Sequence, residues 1–272
     1  SLEGTFGYPV QYGYAAVGRV AATGTNVDEG RVDDLVFAFN PHESHFRATP
    51  EELQPVPDDI GPETATLFPT AETAVNFVLD ARPRVGERVV VFGAGPIGLA
   101  TTALLSTFPL ESLTVVDPVE ERRALAAELG ATTTETPEGI AETEWADPAG
   151  ADCCIEVSGN PQALDDAIGA VGYDGRVVIG SWYGTKPVEL GLGGRFHRER
   201  IDMRSSQVST IEPGDRGRWT KSRRMARAID LVREHDLGRL VTHRIPFANA
   251  PNAYDLLATD DDVLTTVFTY DT

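Results

Sequence analysis

The stretch RVVVFGAGPIGLATTALL, beginning at Arg88, constrains this chain more than any other. A β-branched apolar run passes straight into Gly93-Ala94-Gly95-Pro96-Ile97-Gly98 and then into an apolar, helix-forming segment. A second run, SLTVVD, ends on Asp117, 19 residues after Gly98. A glycine-rich turn by itself is weak evidence, since such turns are common. Here strand, turn, helix and second strand span 30 residues, the size of a strand–helix–strand unit that binds a dinucleotide.

Within that unit each residue type has a physical task. Gly93 permits the tight turn, Gly95 lets the backbone approach a pyrophosphate, and Gly98 lets helix and strand pack closely. Pro96 and Ile97 open the helix, whose exposed N–H groups and positive dipole end hold an anion. Asp117 would accept hydrogen bonds from the adenosine ribose, and its charge would repel a 2′-phosphate, which favours NAD while leaving NADP possible. The competing reading is an ordinary tight turn with Asp117 as a helix cap.

The flanking sequence sets this unit in an α/β domain. ERVVVFGAG, SLTVVD, ADCCIEVSG and GRVVIGSW are near-continuous apolar runs, with helix-like stretches between the first three and before the last. That alternation predicts a doubly wound parallel sheet buried on both faces. Pro118 opens PVEERRALAAEL and Gly130 stops it, while Asn160 caps a helix that starts at Pro161. Residues 1–60 read as short strands separated by turns, and ETATLFPTAETAVNFVLDA reads as helical from Pro62 until Arg82-Pro83. A further strand, IDMRSSQV, precedes the helix SRRMARAIDLVREH, and the tail reads strand, short helix, strand. The expected organisation is a substrate-domain segment over 1–75, a dinucleotide-binding domain over 76–215, and a connecting helix with a return to the substrate domain over 216–272.

Charge narrows the class further. Asp and Glu number 42 against 23 Lys and Arg, a net charge of −19, and only Lys186 and Lys221 are lysine. Hydrated carboxylates in excess with almost no lysine point to a cytoplasmic protein adapted to strong brine, where salt screens the self-repulsion. The same charge opposes nucleic acid binding, and the arginines from Arg216 to Arg227 read as a solvated helix face. No apolar run approaches the roughly 18 residues of a membrane span. SLEGTFGYPV has no basic start followed by an apolar stretch, so no signal peptide is expected. Cys153 and Cys154 are adjacent in an apolar run and read as core residues, neither a disulfide framework nor a zinc knot.

The run ERVVVFGAGPIGLATTALL, with VVDPVEERRALAAELGA, EVSGNPQALDDAI and GRVVIGSW, resembles the medium-chain dehydrogenase/reductase superfamily, the zinc-type alcohol dehydrogenase relatives. YPVQYGYAAVGRV, PHESHF, FHRERIDMRSSQV and THRIPFANAPNAYDLL look most like its bacteriochlorophyllide a dehydrogenase-like branch. The resemblance implies a GroES-like, mainly-β substrate domain built from both chain ends, with a six-stranded Rossmann domain inserted between. It implies hydride transfer between a nicotinamide and the hydroxyl or carbonyl of a small-molecule substrate. It matches Arg122 to a basic residue that contacts the adenosine ribose, Ser158 and Gly180 to backbone contacts with the cofactor, and Phe39 to an apolar wall of the substrate pocket. The family's opening strands would precede Ser1, so the substrate domain is expected to be N-terminally incomplete, as a fragment or as a trimmed protein.

Departures from the family are as informative. Zinc-type members carry Gly-His-Glu where this chain has Gly13-Tyr14-Ala15, and a cysteine ligand where it has Phe68-Pro69-Thr70. HESHFRATPEELQPVP replaces the four-cysteine lobe, so no zinc is expected. Hydride transfer to a carbonyl builds negative charge on its oxygen, which a side-chain donor must then stabilise. Tyr14 is the first candidate, set against a tyrosine that packs the cleft floor. His45 and His42 could relay a proton or bind substrate, and Glu72 is either an acid/base or a helix cap. The leading expectation is a zinc-independent NAD(P)-dependent oxidoreductase; the alternatives are a quinone- or enone-type reductase and a nucleotide-binding protein without turnover. IDMRSSQV at the sheet edge predicts a homodimer through paired edge strands, with Asp202 and Arg204 available to pair across the axis.

Overall fold

The structure, a computed structural model, describes residues 10–270, so the opening SLEGTFGYP, with the Ser1 start, lies outside the described residues. The chain divides into two compact units, one from Ser1–Pro69 with Val232–Thr272, the other from Thr70–Leu231.

The first unit carries the short strands. β1 (Ala16–Arg19), β2 (Leu35–Ala38) and β3 (Leu53–Pro55) form an antiparallel sheet in the order β1-β2-β3. Its buried centre is β2, where Val36, Phe37 and Ala38 lie inside. The expected helical run from Pro62 is two helices, α1 (Pro62–Ala65) in this unit and α2 (Phe68–Ala81), which belongs to the second unit from Thr70. Pro69 explains the break: it has no N–H for the Ala65 carbonyl, so the α1 ladder cannot continue. α2 ends as expected, with Arg82 in the left-handed region at φ 49° just before Pro83.

The second unit is the parallel sheet. In chain order it holds β4 (Arg88–Phe92), α3 (Pro96–Leu105), β5 (Ser112–Val116), α4 (Glu120–Glu128), β6 (Thr133–Glu135) and α5 (Pro137–Ala141). Then follow β7 (Ala151–Glu156), α6 (Pro161–Ala170), β8 (Val171–Ile179), β9 (Asp202–Ser205) and α7 (Lys221–Glu234). The strands are ordered β6-β5-β4-β7-β8-β9 and every pair is parallel. This is the doubly wound arrangement, with its reversal of strand order between β4 and β7. Val90, Phe92, Val116, Cys154, Leu164, Ile168 and Val177 lie together in the core, which explains the near-continuous apolar runs. Both cysteines are buried in β7. β6, with the sequence TTE, was invisible to periodicity because an edge strand need not be apolar.

The last elements return to the first unit. β10 (Val241–Pro246) and β11 (Thr265–Thr269) pair in parallel, with α8 (Ala250–Thr259) between them in sequence. No helix among the described residues is long and apolar enough to cross a membrane.

Candidate cofactor site

β4 delivers the chain into a turn that its own packing defines. Gly93 adopts φ +103°, and a Cβ there would lie 2.7 Å from the Ser158 Cα in the loop after β7. At Gly98 a Cβ would sit 1.9 Å from the Gly93 carbonyl oxygen, so α3 can rest on the turn only without a side chain. Gly95 is a different case, because apart from its own atoms and its chain neighbours nothing lies within 4 Å of its missing Cβ. The protein therefore leaves room at Gly95 that its own packing does not fill. α3 opens with Pro96, and its first helical bond runs from the Leu99 N–H to the Gly95 carbonyl, 2.9 Å. The N–H groups of Ile97 and Gly98 precede that bond, the geometry by which helix starts hold phosphate.

Asp117 sits at the end of β5, buried, with both carboxylate oxygens in use. Oδ2 accepts the Ala94 N–H at 2.7 Å and Oδ1 the Val119 N–H at 2.9 Å. The side chain thus cross-braces the glycine turn against the start of the next segment. Each oxygen keeps a further lone-pair direction, so ribose hydroxyls could still be accepted. Arg123 donates from Nη1 to the carbonyls of Asp117 and Pro118, 2.7 and 2.8 Å. Arg122 lies beside it on α4, half-buried.

Two loops complete the rim. Glu156, the last residue of β7, is 0 % exposed. Its Oε1 accepts the Ser158 N–H at 2.8 Å and the Ser158 hydroxyl at 2.6 Å, while Oε2 accepts the Tyr183 hydroxyl. Burial and the neighbouring carboxylate hold the Tyr183 phenol well above its ordinary pKa, so it stays a donor. Beyond β8, Gly180 has no room for a side chain, since a Cβ would lie 2.3 Å from the Phe77 ring of α2. Gly93, Gly95, Pro96, Ile97, Gly98, Asp117, Ser158 and Gly180 are therefore gathered at the carboxyl ends of β4, β5, β7 and β8, where open α/β sheets bind ligands.

The sequence candidates for chemistry are placed differently. Tyr14 is exposed, at 66 %, just before β1. The His42 ring covers the Cα of Gly13 and meets Phe268 edge-on at 5.0 Å; burial lowers its pKa. His45 is exposed, with its Nδ1 3.3 Å from the Ser44 hydroxyl. Phe39 is exposed and packs edge-on against Phe37 at 5.1 Å. Glu72 is buried on α2 and accepts from Arg224 Nε and Nη2 at 3.1 and 2.9 Å. Arg224, 1 % exposed, also donates to Asn76 Oδ1 and to the carbonyls of Val208 and Thr210. Glu72 thus belongs to a buried pin between α2 and α7. Sequence reasoning missed Glu156, Tyr183 and Arg224; a lone carboxylate ending the run ADCCIE was the available signal for the first.

The described residues do not fit a zinc ion. Among the described residues no three His, Cys, Asp or Glu side chains converge to hold a metal. The Cys153 thiol is pushed up to about 12 by burial and Cys154 is raised by the same cause, so neither offers a thiolate.

Residues 96–230 match the model of the family described as zinc-binding dehydrogenase. Over those residues, just under half of its length, the chain is similar to this family. D-guloside 3-dehydrogenase of Escherichia coli K12 is 27% identical over 255 residues, which cover 90% of this chain and 72% of that enzyme. Among solved structures, zinc dependent alcohol dehydrogenase 2 of Streptococcus has a TM-score of 0.77 at 21% identity, covering 96% of this chain and 83% of that one. A short chain alcohol dehydrogenase of Escherichia coli CFT073, solved with NADH, has a TM-score of 0.72 at 18% identity, covering 93% and 82%. The matches to named dehydrogenases make the chain an oxidoreductase, and the solved structures share its Rossmann sheet.

Proposed function

We propose that the chain uses NAD to move a hydride to or from the hydroxyl/carbonyl carbon of a small molecule, without a zinc ion. The observation that carries the reading is the unfilled space at Gly95, at the start of α3 and one residue from the Ala94 N–H that Asp117 braces. A pyrophosphate suits that space, because glycine there answers to no neighbour inside the protein. Bound NAD would supply the hydride acceptor. The chain's part is to hold the pyrophosphate on the Ile97 and Gly98 N–H groups, to accept ribose hydroxyls at Asp117, and to seat the rest of the cofactor on Ser158 and Gly180. The NADH held by the Escherichia coli CFT073 relative supports NAD as the cofactor.

For the substrate oxygen we infer a donor in place of the metal, and the exposed Tyr14 phenol is the side chain we assign. His42 and Phe39 are the pocket residues that accompany it in this reading, and His45 is a solvent-side proton relay. We also infer a cytoplasmic, salt-adapted homodimer joined through β9. A titration of NADH and NADPH by fluorescence in high salt tests the cofactor, and tighter NADPH binding would overturn it. A screen of secondary alcohols and polyols, followed by NADH absorbance with zinc measured on the same dialysed sample, tests the chemistry. Turnover is expected with far less than one zinc per chain; turnover confined to enones or quinones would move the reading to C=C reduction.

A further inference from the structure

We propose that Glu156 is a positioning residue that sets the nicotinamide half of the cofactor by tying together the loops after β7 and β8. The inference rests on the NAD reading above. The strand order carries it. Asp117 lies at the end of β5, on one side of β4, and the pyrophosphate turn lies at the end of β4 itself. A dinucleotide laid across these ends with its adenosine ribose at Asp117 must place its other half over β7 and β8. That is where Glu156 stands.

Its buried carboxylate meets three donors, the Ser158 N–H, the Ser158 hydroxyl and the Tyr183 hydroxyl. Its backbone carbonyl accepts the N–H groups of Gly180 and Ser181 at 2.8 and 3.2 Å. The Ser181 hydroxyl accepts the Gly159 N–H at 2.8 Å, closing the stitch between the two loops. The Ser158 hydroxyl also accepts the Asn160 N–H at 3.0 Å, which fixes the cap of α6. A charge with no exposure is costly unless fully paired, and the three donors named here come from the two loops it joins. An amide would keep one acceptor oxygen for Ser158 but turn an N–H₂ toward the Tyr183 hydroxyl, which would then have to accept instead of donate, and the charge would be lost.

The test compares NADH with ADP-ribose, which lacks the nicotinamide, in fluorescence and calorimetric titrations of the folded protein in high salt. For Glu156→Gln the NADH dissociation constant is expected to rise about tenfold while that for ADP-ribose stays within about twofold. Tyr183→Phe, which removes one donor and leaves the carboxylate on Ser158, is expected to show a smaller loss confined to NADH, and it decides the matter if Glu156→Gln does not fold. Equal losses for both ligands would mean a general loosening and would overturn the proposal, as would no loss for either. Wild-type protein that binds ADP-ribose but not NADH, or neither, would overturn the NAD reading as well, so the two failures are distinguishable.

Discussion

At Gly95 and Gly98 one residue type answers to two different neighbours, and substitution separates them. Gly98→Ala forces a Cβ onto the Gly93 carbonyl, so a loss at or above the roughly 1–3 kcal/mol of overpacking is expected in denaturant unfolding. Gly95→Ala meets nothing within 4 Å and has φ −72°, so its stability should stay within about 1 kcal/mol of wild type while NADH affinity falls at least tenfold, or roughly 1.4 kcal/mol. Asp117→Asn removes the charge and turns an N–H₂ toward one of the two backbone N–H groups, so the brace is weakened as well. The preference for NADH over NADPH should then drop about tenfold, measured as a ratio of dissociation constants. The glycine pattern and Asp117 were legible in sequence because each meets a requirement of local backbone geometry. The double engagement of Asp117 by Ala94 and Val119 was not, since it depends on where β5 ends relative to the turn.

At the scale of elements, charge pairs join segments far apart in sequence. Glu72 on α2 and Arg224 on α7 form a buried ion pair whose remaining guanidinium donors reach Asn76 and two backbone carbonyls. Glu72→Gln leaves Arg224 charged, buried and poorly paired, and should cost about 3 kcal/mol or more in the denaturation midpoint analysis. The turnover rate of the folded variant at saturating NADH and substrate should not change, which distinguishes a pin from an acid/base. Arg176 grips Glu87 through both oxygens, at 2.9 and 2.6 Å, at the opposite end of the sheet from the cofactor turn. Burial raises the Glu87 pKa, but the hydrogen bonds from Arg176 and the Arg84 N–H, with the nearby arginine charges, outweigh it, and the net shift is downward. A depressed carboxylate contributes stability above its unfolded pKa that is lost as pH falls through the lower folded value. Stability should therefore decline below about pH 4.5, and Glu87→Gln should flatten that acid limb in a pH series of unfolding midpoints.

For the whole molecule the governing term is charge. A net charge of −19 repels itself, and the screening length shortens from about 10 Å at 0.1 M salt to about 3 Å at 1 M. Among the described residues β9 pairs with β8 alone and ends the sheet, the edge at which the proposed second copy would pair. Arg204, however, already lies at the Asp80 carbonyl, 3.3 Å, and near Glu212, 3.9 Å, so the strand backbone carries the proposed pairing more than the Asp202–Arg204 match. Light scattering across a salt series should give a homodimer in molar salt that dissociates or unfolds as salt is removed. A folded monomer in high salt would rule that interface out.

The sequence by itself determined what depends on near neighbours and on burial along one strand. The strand–turn–helix–strand unit, the α6 cap at Asn160, the end of α2 at Arg82-Pro83 and the two core cysteines are of this kind, because each is fixed by backbone sterics or by a local apolar run. Tertiary structure decided what depends on distant segments meeting. It placed the polar β6 at the sheet edge, split the helix at Pro69, gave Glu72 to Arg224, and brought Ser158 and Tyr183 to the Glu156 carboxylate. A buried charge shows its purpose only with its partners, and in this chain those partners lie up to 152 residues away along the sequence.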